Sequence, residues 1–397
     1  MTHLQTLVVL VSLSSIGATT ARFAVLVSAA QAGAPATTVG LLAGLFAGAG
    51  ALASVPAGRM IDRFGVRRPL LYSAALLVVS MSLGAFWRGL PMLAAIVLLS
   101  GLAFNIMVIA FARLAGDLAA PERRTEAFGM LGFGYSTSLL ASPMIAGFSI
   151  DLFGFTAAFV LFAMVPLGSF VMVWTDRLPW SPAAAAQAAH GNPDANAAAA
   201  APERVGALGL LRAPAMRRLW VCCAMFEAGW MGFTFLLPIV GTQLGFSASR
   251  IGLIAGAAGF MLFLTRACLT PLLRRFTPWQ LLISGLALGC AGFTGLAFAD
   301  EFLWMAVCGG LLGAGQGACS PMLSALIYEH SPAHEKGAAM AMRTLISNAS
   351  QCTTPLIAGA LTSAIGVAPV FLLLAAGMAG ASWTSRGRWA GRHSKAG

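Results

Sequence analysis

Charge is scarce in this chain. Of 397 residues, 13 are acidic and 24 are Lys or Arg, and charged residues make up 9% of the total. A water-soluble globule of this length needs far more polar surface to cover its core, so bilayer is the expected solvent. Cysteine is also sparse. The seven present, Cys222, Cys223, Cys268, Cys290, Cys308, Cys319 and Cys352, all fall in the second half, with no CxxC pair and no histidine at ligand spacing. That pattern argues against a metal site or a disulfide framework and for small apolar packing residues inside helices. No GxxxxGK[ST] loop offers a cradle for nucleotide phosphates, and no nucleophile stands with a base. The chain therefore reads as a non-enzyme that needs no cofactor. Its net charge of +11 is scattered in short clusters between apolar runs, not gathered with aromatics on one basic face, which argues against a nucleic-acid partner.

What is abundant is apolar sequence, at 58% of residues. Segments of about 20 residues, enough to cross a bilayer, recur near 4–30, 38–57, 69–87, 91–115, 126–150 and 154–175. A second set follows near 217–241, 248–270, 279–298, 302–327, 339–363 and 367–384. The first run lacks a basic n-region and continues past Arg22, so it reads as a retained span and not a signal peptide. Forty-five glycines suit close helix packing in lipid. Between the two sets lies an Ala- and Pro-rich linker. The expected organisation is a six-helix bundle at 1–178, a cytoplasmic linker at 179–213, a second bundle at 214–385 and a basic tail at 386–397.

An internal repeat supports this division. "VGLLAG" at 39–44 returns as "IGLIAG" at 251–256, and "SPMIAG" at 142–147 returns as "TPLIAG" at 354–359. Gly40 and Gly252, Pro143 and Pro355, and Phe159 and Phe371 are each 212 residues apart. Six spans per copy is an even number, so both copies enter the membrane in the same direction, as parallel repeats. With the N-terminus cytoplasmic, the inside loops hold most of the Arg residues and the outside loops only Arg88 and Arg250. The positive-inside rule then places both termini in the cytoplasm of a multi-pass protein of the cell membrane.

The densest charges lie in "VPAGRMIDRFGVRRPLL" at 55–71, the loop between spans 2 and 3. Gly58, Asp62, Arg63, Gly65, Arg67 and Arg68 fill every slot of the signature that the major facilitator superfamily carries here, and the chain resembles that family over its whole length. The resemblance implies an all-α membrane fold of twelve transmembrane helices in two parallel six-helix repeats, and a gating role for these six residues. In the family the Asp helps to hold the cytoplasmic ends of the two halves together. A carboxylate near the start of span 11, around Ala338, would gain from the exposed N–H groups there. The arginines serve equally well as topological anchors. At the repeat distance the signature is lost: Arg274 replaces Asp62 and Thr277 replaces Gly65.

Ionisable residues within spans are costly and so are functional candidates: Arg22 in span 1, Arg113 late in span 4, Glu227 in span 7 and Arg266 in span 8. Arg113 lies far enough toward the cytoplasmic side to snorkel instead. In the family, spans 1, 4, 7 and 10 line the central path, which adds Asn105 and Gln316 to the candidates. Arg22, Asn105, Arg113, Arg266 and Gln316 are the expected substrate contacts, and Glu227 a proton-coupling or charge-balancing group. The planar guanidinium fork suits an oxyanion.

The expectation is a secondary active transporter, a monomer in the bilayer, that carries a small organic anion by alternating access with protons as the coupling ion. A drug or metabolite efflux antiporter is the alternative. Span 5 keeps Gly129, Pro143 and Gly147 of the antiporter pattern but has Ser138, Ser142 and Ala146 where glycines are expected, and span 4 lacks the family's proton-relay Arg. A non-transporting sensor or scaffold on the same fold is a further reading.

Overall fold

The computed structural model describes residues 3–86, 89–118, 124–175, 214–332 and 335–386. The expected linker at 179–213 and the tail after Arg386 lie outside the described residues, as do Arg88 and Arg123 of the loops. The order is α1 (His3–Gln31), α2 (Ala36–Phe64), α3 (Arg67–Phe86), α4 (Leu90–Leu118), α5 (Arg124–Trp174), α6 (Pro214–Gln243), α7 (Ala248–Ala267), α8 (Leu269–Arg275), α9 (Pro278–Leu296), α10 (Phe302–His330), α11 (Lys336–Ile365) and α12 (Val367–Ser385). All twelve elements are helices, the one secondary structure besides a closed barrel that satisfies every backbone group within lipid.

Ten of the helical stretches among the described residues are long and apolar enough to cross a membrane. One of them, Phe128–Trp174, is 47 residues long and is interrupted at Gly154, whose φ of 72° and ψ of 168° lie outside helical space. The break falls between expected spans 5 and 6. Helix α11 is not among the ten although its 30 residues are ample, because Arg343, Asn348, Gln351 and several hydroxyls dilute its apolar content. With the long stretch divided and α11 added, the twelve expected spans are present.

The repeat is written into the backbone more plainly than into the side chains. Gly33 and Gly245, which follow the first helix of each copy, have φ of 74° and 73°. Gly154 and Gly366, which precede the last, have φ of 72° and 85°. Each pair is 212 residues apart. A Cβ in this left-handed region crowds the following carbonyl, so glycine is the residue that lets each copy turn there. The fifth such glycine, Gly65 (φ 72°), ends α2, and its counterpart Thr277 does the reverse job. Thr277 starts α9 as an N-cap: its hydroxyl accepts from Gln280 N while the Gln280 side chain accepts from Thr277 N, and Pro278 occupies the first turn.

One expected span ends early. Span 8 was expected to run to residue 270, but α7 stops at Ala267 and a short α8 begins at Leu269. Pro271 lacks the N–H that a continuous helix would bond to Ala267, and its ring clashes with that carbonyl, whereas the first turn of a new helix tolerates it.

Contacts divide the chain into two compact units, Met1–Ala195 with Gly241–Gly256, and Asn196–Val240 with Ala257–Gly397. In the first, α1 packs on α5, α4 and α2, and α3 on α4 and α5. Leu10, Leu70, Met107 and Phe111 meet in its core. Gly101 of α4 lies against the Phe46 carbonyl of α2, where any side chain would collide. By contact, residues 241–256 group with the first unit. Gly147 of α5 sits against the Ala248 carbonyl and Gly252 of α7 against the Pro143 carbonyl, so two glycines let the helices touch backbone to backbone. In the second unit α9 packs on α10 and α12, with Gly315 against the Gly285 carbonyl and the Phe293 and Phe371 rings tilted against each other at 5.9 Å.

Candidate functional site

Each unit carries one cluster of polar or charged groups within its apolar interior. In the first, the Arg22 guanidinium of α1 lies over the Phe46 ring of α2, 5.4 Å from its centroid. Phe46 meets Phe104 of α4 at 5.8 Å, and Phe104 meets Tyr135 of α5 edge-on at 6.5 Å. The Tyr135 hydroxyl is buried with no hydrogen-bond partner among the described residues. A cation and three aromatic rings thus form a ladder across four helices. Beside it the Ser54 hydroxyl donates to Asn105 Oδ1 at 3.4 Å, and Thr19 and Ser142 share a hydrogen bond of 2.5 Å.

The second unit holds an acidic counterpart. Glu227 of α6 is part-buried, and its Oε1 accepts from the Ser347 hydroxyl of α11 at 2.8 Å. The Gln351 side chain reaches the same carboxylate, and Arg343 lies within electrostatic range of it. Residues 343, 347 and 351 are spaced i, i+4, i+8, so they share one face of α11. Arg343 Nη2 donates to the Ser320 hydroxyl of α10 at 3.4 Å, and Gln316, one turn before Ser320, is buried and donates from Nε2 to the Phe226 carbonyl at 2.9 Å. Gln316 is therefore braced against the residue next to Glu227. Among the described residues no three His, Cys, Asp or Glu side chains come together to hold a metal ion.

The other sequence candidates are dispersed. Arg113 forms an i, i+4 salt bridge with Asp117 at 3.2 Å and is 40% exposed, the arrangement of a snorkelled anchor. Arg266 lies part-buried in the last turn of α7. In the signature loop Gly58 sits in α2 with open space around it, and Asp62 is exposed in the last turns of that helix. Arg63 and Arg68 lie over the Phe64 ring at 5.2 and 5.9 Å, and Arg67 donates to the Trp174 carbonyl at 3.0 Å. Within the unit this loop is braced by its arginines.

Sequence reasoning missed two functional candidates. Arg343 escaped because it lies near the start of a run that otherwise reads as a span; the i, i+4, i+8 polar spacing was the available signal. Asp151, between expected spans 5 and 6, carries no motif. Its Oδ1 accepts from Ala248 N at 3.1 Å and its Oδ2 from Ser249 N at 2.8 Å, capping α7 from 97 residues away. Partial burial opposes its charge, but hydrogen bonds from Ser249, Ser247 and Ala248 outweigh that and hold the carboxyl below its usual range.

Twelve helices in two related sets, with a part-buried cation in one unit and a part-buried acid in the other, are the architecture of a multi-pass membrane protein. The family model of the Major Facilitator Superfamily matches residues 7–307 and 219–386, and the chain belongs to that family. Among curated proteins it is similar to the multidrug resistance protein MdtG of Dickeya zeae (strain Ech586), 25% identical over 337 residues, covering 82% of this chain and 78% of the relative. It is 27% identical over 349 residues to the class C tetracycline resistance protein of Escherichia coli, covering 83% and 81%. Among solved structures, a POT family transporter in complex with a thioalcohol-conjugated peptide superposes with a TM-score of 0.75 at 14% identity, over 95% of this chain and 94% of the other, a likeness of fold. The protein is a multi-pass membrane transporter that acts on small molecules in a lipid bilayer.

Proposed function

We propose that this transporter exports small organic compounds in exchange for protons, with Glu227 as the carboxylate that takes up the proton. The observation that carries the reading is the setting of Glu227: an acidic side chain within an apolar helical unit, held by the Ser347 hydroxyl and the Gln351 amide and near one guanidinium. A carboxyl in such a place is stable either neutral or paired, and alternation between the two is what coupling to a proton gradient requires. The names of the relatives, multidrug and tetracycline resistance proteins, support export over uptake. The two six-helix repeats would rock about the cargo, opening to either side in turn. Asp62 would steady the cytoplasm-closed state by docking its carboxylate at the start of α11. The termini and the linker would lie in the cytoplasm, an orientation the basic loops support, and the protein would sit as a monomer in the cytoplasmic membrane.

An organic-anion cargo is the second reading, favoured by Arg22, whose guanidinium presents a planar fork on an aromatic ladder. Arg266, in the other unit, is a second candidate cation. Proteoliposomes with an imposed proton gradient separate the two. With tetracycline and a panel of cationic and anionic dyes as probes, driven accumulation should appear for at least one neutral or cationic compound. Glu227→Gln should abolish that accumulation while sparing counterflow. Equal losses in both assays would reduce Glu227 to a charge-balancing group. Anions as the sole cargo, with weakened uptake in Arg22→Ala and Arg266→Ala, would put the second reading first.

A further inference from the structure

Glu227 and Arg343 share a cluster without sharing a hydrogen bond. The carboxylate is held by Ser347 at 2.8 Å, while the guanidinium is held by Ser320 at 3.4 Å, and its Nε is buried with no partner among the described residues. The two charges are near enough to act on each other, yet each rests on a neutral hydroxyl of a different helix. Three methylenes and a fork give an arginine reach enough to exchange one such partner for the other. A buried Nε–H without an acceptor is costly, and Glu227 is an anionic acceptor within electrostatic range of it.

We propose that Arg343 is the positioning residue for Glu227: its guanidinium closes on the carboxylate when Glu227 is ionised and returns to Ser320 when Glu227 holds a proton. The proton enters from bulk water and leaves to it, and no bond other than O–H is made or broken. The side chains facing Glu227 are Arg343, Ser347 and Gln351 from α11 and Cys223 one turn away on α6, with Gln316 and Ser320 from α10 completing the cluster. Of these Arg343 alone is a cation. It is thus the group whose charge makes ionisation of Glu227 affordable in this unit, and α11, the most polar of the long helices here, is polar on the face that makes this possible. The role rests on the reading of Glu227 as the proton site.

The test needs no cargo. Purified full-length protein in detergent is treated with dicyclohexylcarbodiimide, which reacts with a protonated buried carboxyl, and modification of Glu227 is followed by mass spectrometry across a pH series. Loss of a cation within electrostatic range should extend the protonated range, so Arg343→Ala should move the midpoint upward by about 1 pH unit or more. Arg343→Gln, which keeps hydrogen-bonding capacity without charge, should match it and serves if the alanine variant folds poorly. Arg343→Lys should return the midpoint most of the way to wild type. A midpoint that stays in place in the Ala or Gln variants overturns the proposal, as does a lysine variant that shifts as far as glutamine, since that would make the role steric. If the midpoint moves as expected while Glu227→Gln vesicles still accumulate cargo under a proton gradient, Arg343 keeps its role toward the carboxylate and the coupling reading is the one that fails.

Discussion

The first helices of the two repeats, α1 and α6, occupy equivalent places and carry opposite charges. Arg22 of α1 has Thr234 as its counterpart 212 residues on; Glu227 of α6 has Ser15 at the same distance back. Arg22 is met by aromatic faces, Phe46 first, which attract a cation through the ring quadrupole. Glu227 is met by a hydroxyl, an amide and a guanidinium, which favour an anion. Their surroundings diverged with them: Arg343 corresponds to Leu131, and Asp151 to Ser363. The glycine turns at 33 and 245 and at 154 and 366 did not diverge. Duplication kept the backbone hinges that both bundles need, and left the chemistry free to be divided between them.

The largest effect expected from breaking this division lies at Glu227. Glu227→Gln should reduce proton-driven accumulation in vesicles to background while the equivalent Ser15→Ala in the first copy leaves most of it. Comparable losses from both would mean that the copies share the coupling role. Next come the hinges, where the copies should behave alike. Gly154→Ala and Gly366→Ala should each destabilise the purified protein by about 1–2 kcal/mol, the penalty of a Cβ in the left-handed region. Thermal unfolding in detergent would reveal an asymmetry, and a large one would show that the turns are not equivalent.

Smaller again is the aromatic support of Arg22. Phe46→Leu keeps the bulk but removes the quadrupole, and should lower stability by about 0.5–2 kcal/mol, with a lesser further loss when combined with Arg22→Gln. Full additivity in that double-variant cycle would dissolve the ladder as an energetic unit. The smallest effect is local and pH-dependent. Asp151 has its carboxyl depressed, so its cap on α7 is present above the usual aspartate range, about pH 4, and is lost as pH falls through the lower folded value. Protection of the Ala248 and Ser249 amides from hydrogen exchange, taken relative to their intrinsic rates at each pH, should fall in acid in the wild type and already be low at neutral pH in Asp151→Ala. Slow exchange in that variant at neutral pH would transfer the cap to the serines.

Much of this architecture was legible before the structure. Runs of about 20 apolar residues announce spans because lipid leaves a helix few alternatives, and the signature at Gly58 to Arg68 together with the 212-residue register named the family and its symmetry. The site was less legible. Arg22, Glu227 and Gln316 stood out as polar residues within spans, and the structure places each in a cluster. Arg113 stood out equally, yet Asp117 one turn away pairs with it. Arg343 and Asp151 did not stand out, because one lies near the start of a span, where a basic residue is ordinary, and the other lies between spans, where an acid is ordinary.

The sequence alone determined the class of solvent, the number of helices, their two-fold repetition and the residues at which charge enters the membrane, since each follows from local composition or from register along the chain. Only the tertiary structure decided which of those charges have partners and of what kind. Ser347 reaches Glu227 from 120 positions away, Asp151 caps a helix from 97 positions away, and Gly147 and Gly252 bring two backbones into contact. Such contacts depend on how helices cross and on where small residues permit close approach. Neither is written in any one segment, because packing in lipid is set by the fit of two surfaces and not by the hydropathy of either.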